Sequence, residues 1–338
     1  MTPERIPPHA RILQLATSSW MSAAVSAAAT LGVADALADG PRGVGELASA
    51  VDAHPPTLYR LLRACTEFGL FEELDGQVFI LTDVGHALRS DSANSMRAFA
   101  RWVGEPAERY TWSNLVTSVR TGQPAFEVTH GRDVWDFMAG HPDTAAVFND
   151  AMTSASNQMI APAVRAYDFT GLRRIVDVGG GHGALLAETL RAYPDLHGVL
   201  YDQADVVAGA GESLRAAGVA DRVDIVAGSF FDAVPPGADA YLLSNVIHDW
   251  DDDASGRILT RVRDAMSPAA RVLLVEVLMP SKPEPSPTVK LMDLNMLVLC
   301  GGKQRTEAEF SDLLRGAGLE LTRIVPGGFC SVVEGARA

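Results

Sequence analysis

The chain has 338 residues, of which 47% are hydrophobic and 21% charged, and its formal net charge is -14. That length accommodates two domains, each able to bury its own core. So acidic a surface repels phosphate backbones and anionic lipid headgroups, which sets nucleic acid and membrane aside as expected partners.

The three cysteines, Cys65, Cys300 and Cys330, are widely spaced, with neither the CxxC pairs of a zinc site nor the density of a disulfide framework. No metal is expected, and a reducing cytoplasm fits best. The opening Met1 to Ala10 lacks the basic start and apolar core of a signal peptide. No run of about 18 apolar residues occurs.

In chain order, the Ala-rich stretch from Trp20 to Leu31 reads as a helix with too few polar residues to stand uncovered. From Val44 the chain reads as a helix, a turn, a second helix in HPPTLYRLLRACTEFGLF, and a hairpin with Asp75-Gly76 at its tip. That is winged-helix architecture. Met1 to Ser90 holds six arginines, no lysine and ten Asp or Glu, opposite in sign to a DNA-binding surface. This first domain, residues 1–105, is therefore expected to serve packing and dimerisation.

The second domain, residues 106–338, opens with connecting helices over 106–170, including a long helical stretch from about Asp143 to Tyr167. Beyond it, RIVDV, GVLYD, VDIVAG, AYLLSNV and RVLLVEV are strand-like, each followed by a helical segment. Pro280 to Pro287 is an extended surface loop, and LELTRIVPGGFCSVVEG supplies two more strands. The fold class is α/β: a mostly parallel, doubly wound sheet whose ligand belongs at the carboxyl ends of the strands.

The sharpest motif is VDVGGGHG, from Val176 to Gly183, after a strand and before a helix. Glycines there let the backbone turn tightly, and free N–H groups at the helix start attract negative charge. Asp202 ends the next strand, where a carboxylate can accept both ribose hydroxyls. Gly179, Gly181 and Ala184 also satisfy a dinucleotide pattern. Three observations favour S-adenosylmethionine over a nicotinamide cofactor. Asp177 can meet the ammonium of a methionine moiety; the motif lies mid-chain behind a helical domain; and no second mononucleotide-binding half follows. His248, after the fourth strand in SNVIHDWDDD, stands where a general base would. Asp251 to Asp253 read as a solvated helix start.

The chain resembles the plant caffeate-type and bacterial small-molecule O-methyltransferases over nearly its whole length. VDVGGGHG, YDQADVV, IHDWDDD, RVLLVEVLMP and MDLNMLVLCGGKQRTEAEF carry the resemblance, in the right order. It implies a Rossmann-like methyltransferase domain behind a dimerising helical domain, hence a homodimer acting on a small molecule. It makes Gly179, Gly181 and Gly183 the cofactor loop, Asp202 the ribose ligand, His248 the base and Glu276 the glutamate that supports it. Phe148, Met152, Asn295 and Met296 match positions lining the acceptor pocket.

Three positions depart from the family pattern. The second supporting glutamate, of a GGKERT-like motif, is Gln304; the acid often found near adenine is replaced by Ser229 and Phe230; and a frequent Lys or Arg is Ser244. Ser229 can still hydrogen-bond and Phe230 can stack on a purine. The expected reaction is methyl transfer to a phenolic hydroxyl of an aromatic or polyketide-like molecule. With one carboxylate where the family has two, His248 is expected to stay neutral to lower pH. A weaker base keeps alive a second reading, a cofactor-binding relative that catalyses hydroxylation, decarboxylation or a pericyclic step. A ligand-sensing winged-helix regulator would need the basic helix that this sequence lacks.

Overall fold

The computed structural model describes residues 6–338; Met1 to Arg5, part of the stretch read for a leader, lie outside the described residues. The chain divides into two compact units. One runs up to Arg109 and includes Ala146–Ser154; the other comprises Tyr110–Ala145 and Ala155–Ala338.

In the first unit, helices Val44–Ala50 and Pro55–Thr66 lie in the chain between β1 (Arg42–Gly43) and the hairpin of β2 (Phe71–Leu74) and β3 (Val78–Leu81), and the three strands form a small antiparallel sheet. Leu47, Leu58, Leu62, Phe71 and Phe79 share its buried core. The hairpin turns where expected, with Gly76 at φ 79° and Gln77 also left-handed at φ 58°, so three residues link paired Leu74 and Val78. The Ala-rich helix, Ser18–Leu31, buries Ser26, Ala28 and Ala29 but leaves Trp20 72% exposed.

The boundary expected near residue 105 falls beside Arg109, but the assignment of all of 106–170 to the second domain needs correction. Ala146–Ser154 packs with the first unit. The Phe148 ring meets Trp102 edge-on at 5.1 Å, and the Ser154 hydroxyl donates to the Ser95 carbonyl. The long helix itself runs Pro142–Ala155, continues as a π turn over Ser156–Ile160, and resumes as Ala161–Ala166.

In the second unit, the described residues form a seven-stranded sheet. Its members are β4 (Arg174–Val178), β5 (His197–Asp202), β6 (Val223–Ala227), β7 (Ala240–Ser244), β8 (Arg271–Glu276), β9 (Leu319–Pro326) and β10 (Ser331–Arg337). The order is β6-β5-β4-β7-β8-β10-β9; β4 to β8 pair in parallel, and β10 runs antiparallel to both its neighbours. Alternate side chains feed two cores: Ile175, Leu200, Leu242 and Leu273 on one face, Val176, Val199, Tyr241 and Val272 on the other. A strand covered on both faces reads as an unbroken apolar run, which is why the sequence pattern finds it. The chain adds β5 and β6 on one side of β4 and then crosses back from β6 to place β7 on the other, and a crevice opens at the carboxyl ends of strands at such a reversal.

The two positions of a strand in this sheet carry different weights. Leu242 on β7 is fully buried, whereas Ile225 on edge strand β6 is 42% exposed. Leu242→Ala should cost about 2–5 kcal/mol in urea unfolding, through lost contacts and the cavity left. Ile225→Ala should cost below about 1.5 kcal/mol, and equal losses at both sites would contradict this strand order.

Candidate active site

The Gly-rich loop leaves β4 in a conformation that side chains resist: φ is 71° at Gly179, 58° at Gly181 and 77° at Gly183, the last preceding helix Ala184–Ala192. A Cβ on Gly179 would stand 2.8 Å from Val246 and 3.7 Å from the Phe230 ring, so the loop, the end of β6 and the end of β7 converge. Asp177 lies beneath this loop. Its carboxyl is 1% exposed and packs where a Cβ on Gly180 would stand, with both oxygens lacking a hydrogen-bond partner. It lies on the Ile175 face of β4 because side chains alternate along a strand. Burial, with the Asp202 charge, pushes its pKa up to about 7.

Asp202 at the end of β5 accepts the Gly181 N–H at 2.9 Å and the Gln203 N–H at 2.7 Å. Two carboxylate oxygens with one donor each retain acceptor capacity for hydroxyl groups. After β6, Ser229 accepts the Phe231 N–H at 3.3 Å, and Phe230 packs near Phe231 and edge-on to Trp250. At the end of β7, the Ser244 hydroxyl oxygen and the amide oxygen of the next residue, Asn245, are buried and unpartnered, and Asn245 is left-handed at φ 53°. Sequence reasoning missed Asn245. Its signal is its residue type, since asparagine tolerates that conformation best after glycine. These orphaned acceptors and the glycine cradle fit a polar nucleoside ligand such as S-adenosylmethionine.

His248 sits in the turn Ile247–Asp249, buried, with Nδ1 2.6 Å from Glu276 Oε2. The other Glu276 oxygen accepts the N–H groups of Ile247 and His248 at 3.0 and 3.3 Å, so one carboxylate holds both the turn and the ring. The ring's other nitrogen lies 3.5 Å from Asp249 Oδ1. Burial works against charge on His248, but Glu276 and Asp249 outweigh it and push its pKa up to about 9. Asp249, its side chain 19% exposed, is pushed up to about 6 by burial, which His248 opposes.

This corrects the expectation that His248 has one carboxylate for company and stays neutral to lower pH. Asp249 supplies a second, from the residue next in sequence. Gln304 bonds through its backbone N–H to Asp293 Oδ1 at 2.8 Å, while its side-chain amide is buried and unpartnered. Asn295 and Met296 lie on helix Pro287–Leu299 of the same unit, half-buried and buried. Phe148 and Met152 lie in the first unit. Cys65, Cys300 and Cys330 form no disulfide, and among the described residues no group of three or more His, Cys, Asp or Glu could hold a metal.

The His248 pair carries a signed pH dependence. Its folded pKa of about 9 stands above the ordinary 6.5. Its stabilisation is therefore full below about pH 6.5 and is lost as pH rises through about 9. Urea unfolding of the wild type and His248→Gln from about pH 6 to about pH 9.5 should show the wild-type advantage shrinking. A constant difference would mean that folding leaves the His248 pKa unshifted.

Residues 112–320 match the O-methyltransferase domain and residues 13–91 the O-methyltransferase dimerisation domain. The chain is 39% identical over 321 residues to the phenazine O-methyltransferase of Lysobacter antibioticus, covering 95% of this chain and 94% of that protein. It is 38% identical over 306 residues to the 8-amino-8-demethylriboflavin N,N-dimethyltransferase of Streptomyces davaonensis, covering 89% and 87%. Its structure superposes with TM-score 0.80, at 36% identity over 94% of this chain and 96% of the other, on an O-methyltransferase of neocarzinostatin biosynthesis solved with S-adenosylmethionine and 2-hydroxy-5-methyl naphthoic acid. Among the described residues no helix is long and apolar enough to cross a membrane. The chain belongs to the S-adenosylmethionine-dependent O-methyltransferase family with an N-terminal dimerisation domain.

Proposed function

We propose that the protein methylates a phenolic hydroxyl of a small aromatic or polyketide-like natural product, with His248 as general base. The observation that supports this most directly is the 2.6 Å contact of His248 with Glu276 at the strand ends, beside the glycine loop. Gly179, Gly181, Gly183 and Asp202 would hold the cofactor, with Ser229, Phe230 and Ser244 around the nucleoside; Asp177 would act from beneath the loop. Asn295 and Met296, on helix Pro287–Leu299, would line the acceptor pocket. Gln304 would offer that pocket an uncharged hydrogen-bonding amide. The first unit would join two copies, since helix Ser18–Leu31 leaves Trp20 uncovered.

The bound cofactor supplies a methyl group already activated on a sulfonium. The protein's part is to align the acceptor oxygen and to manage its proton. A phenol with a pKa of about 10 is mostly neutral at neutral pH, so a base at its oxygen matters. With its pKa near 9, His248 is largely protonated there. Its neutral fraction takes the proton of a weakly acidic phenol, and its protonated form donates a hydrogen bond to an acceptor that arrives as the phenolate. The second case favours phenols acidified by a conjugated carbonyl. Glu276 keeps the imidazole in place and stabilises its charge in both.

The relatives include N-methyltransferases as well as O-methyltransferases, so aryl amines form the second reading. Incubation with S-adenosylmethionine and a panel of phenols and aryl amines, followed by mass spectrometry, separates the two. Methylated phenols, with the rate on simple phenols climbing toward alkaline pH, are the expected result. A cofactor-binding protein that methylates neither class would overturn the proposal and restore the non-methylating alternative. His248→Ala should lower turnover about a hundredfold near neutral pH and less at high pH. Asp202→Ala should weaken binding of the demethylated cofactor by about 2–4 kcal/mol in calorimetry, and unchanged affinity would remove Asp202 from the ribose site.

A further inference from the structure

The segment after helix Pro287–Leu299 contributes more to the His248 turn than Gln304. Arg305 has a side chain with 0% exposure, an expensive place for a guanidinium unless its donors are met. Its Nε and Nη2 donate to Asp252 Oδ1 at 3.0 and 2.9 Å. Nη1 donates to the Ile247 carbonyl at 2.9 Å; Nη2 also reaches the Trp250 carbonyl at 2.8 Å and the Ser255 hydroxyl at 3.2 Å. The two carbonyls bracket His248 and Asp249. Glu276 takes the amides of this turn and Arg305 takes its carbonyls, so two buried charges of opposite sign grip the same four residues.

The backbone around Arg305 is equally constrained. Leu278, just past β8, bridges to Arg305, and the Met279 N–H donates to the Arg305 carbonyl at 2.9 Å. A Cβ on Gly302 would stand 2.0 Å from the His248 carbonyl oxygen, so the Gly302 backbone lies directly against the back of the turn. We propose that Arg305 is a positioning residue for the methyl transfer proposed above, setting where the His248 imidazole stands by gripping the carbonyls of Ile247 and Trp250. The inference rests on His248 acting at the acceptor oxygen. The guanidinium has a second effect through its charge. The charged groups facing His248 are Glu276 from β8, Asp249 from its own turn and Arg305; the two carboxylates favour the imidazolium and Arg305 opposes it. Cys300, at the end of the preceding helix, reaches Asp249 at 3.7 Å. Holding only the start of helix Asp252–Ala265, through Asp252 and Ser255, would be a merely structural role.

Two variants separate these roles. Arg305→Lys keeps the charge and loses the planar fork; Arg305→Met loses both. On a phenol that the wild type methylates, Arg305→Lys should lower kcat about tenfold or more while KM stays within about twofold. Calorimetry should find S-adenosylhomocysteine bound about as tightly as by the wild type. In protein saturated with S-adenosylhomocysteine, NMR titration of the His248 ring, assigned by its loss in His248→Gln, should move up by about half a pH unit or more in Arg305→Met. It should hold its place in Arg305→Lys. The titration needs no acceptor, so it reads the Arg305 effect even if the panel yields no methylated phenol. Wild-type kcat in Arg305→Lys, or an unmoved His248 titration in folded Arg305→Met, would overturn the proposal. If Arg305→Met does not fold, Arg305→Lys decides: lowered kcat at constant KM supports positioning, and a loss that only tracks the folded fraction refutes it.

Discussion

A carboxylate cut off from water persists only where donors meet its oxygens, and Glu276 satisfies that condition through a single short turn. One oxygen takes two backbone N–H groups and the other takes the His248 ring. The arrangement ties the end of β8 to the end of β7, two strands already paired in parallel. Neither partner keeps its place without the other, since an unpaired buried charge costs several kcal/mol. His248, the turn that carries it and the Gly-rich loop across the strand ends thus share the carboxyl edge of the sheet.

The parallel sheet was legible because its strands are buried on both faces, which leaves unbroken apolar runs such as AYLLS and RVLLV. The glycine loop was legible because left-handed backbone leaves glycine behind in the sequence. His248 stands out in the sequence by its place after the fourth strand of that sheet. Asp249 was not found, because a carboxylate in HDWDDD looks like its solvated neighbours; only folding distinguishes the residue turned inward from Asp251 to Asp253. Arg305 hid for the same reason, since an arginine in a run of polar residues reads as surface. The return of Ala146–Ser154 to the first unit was also illegible, because one helix serves both units and its periodicity does not change along the way.

Gln304 shows how an aligned position can mislead about charge. Replacing a glutamate by glutamine removes a carboxylate from the motif, yet the His248 ring still stands between two. What decides its proton affinity is the sum over every neighbour, including Arg305 with the opposite sign. Charge at such a site belongs to the constellation of groups, and a motif shows only part of it.

The last strand carries a consequence for the birth of the molecule. β10 lies between β8 and β9 and pairs with β8 residue by residue, Ser331 opposite Glu276. Until residues 331–337 leave the ribosome, the strand that ends in Glu276 has an open edge, and an open edge invites pairing with other chains. The parallel strands can assemble during synthesis, but the edge beside Glu276 closes only when the hairpin of β9 and β10 slots in. Closure of the sheet beside Glu276 therefore waits on that hairpin, and a nascent chain stalled before it would leave the apolar β8 edge open to aggregation.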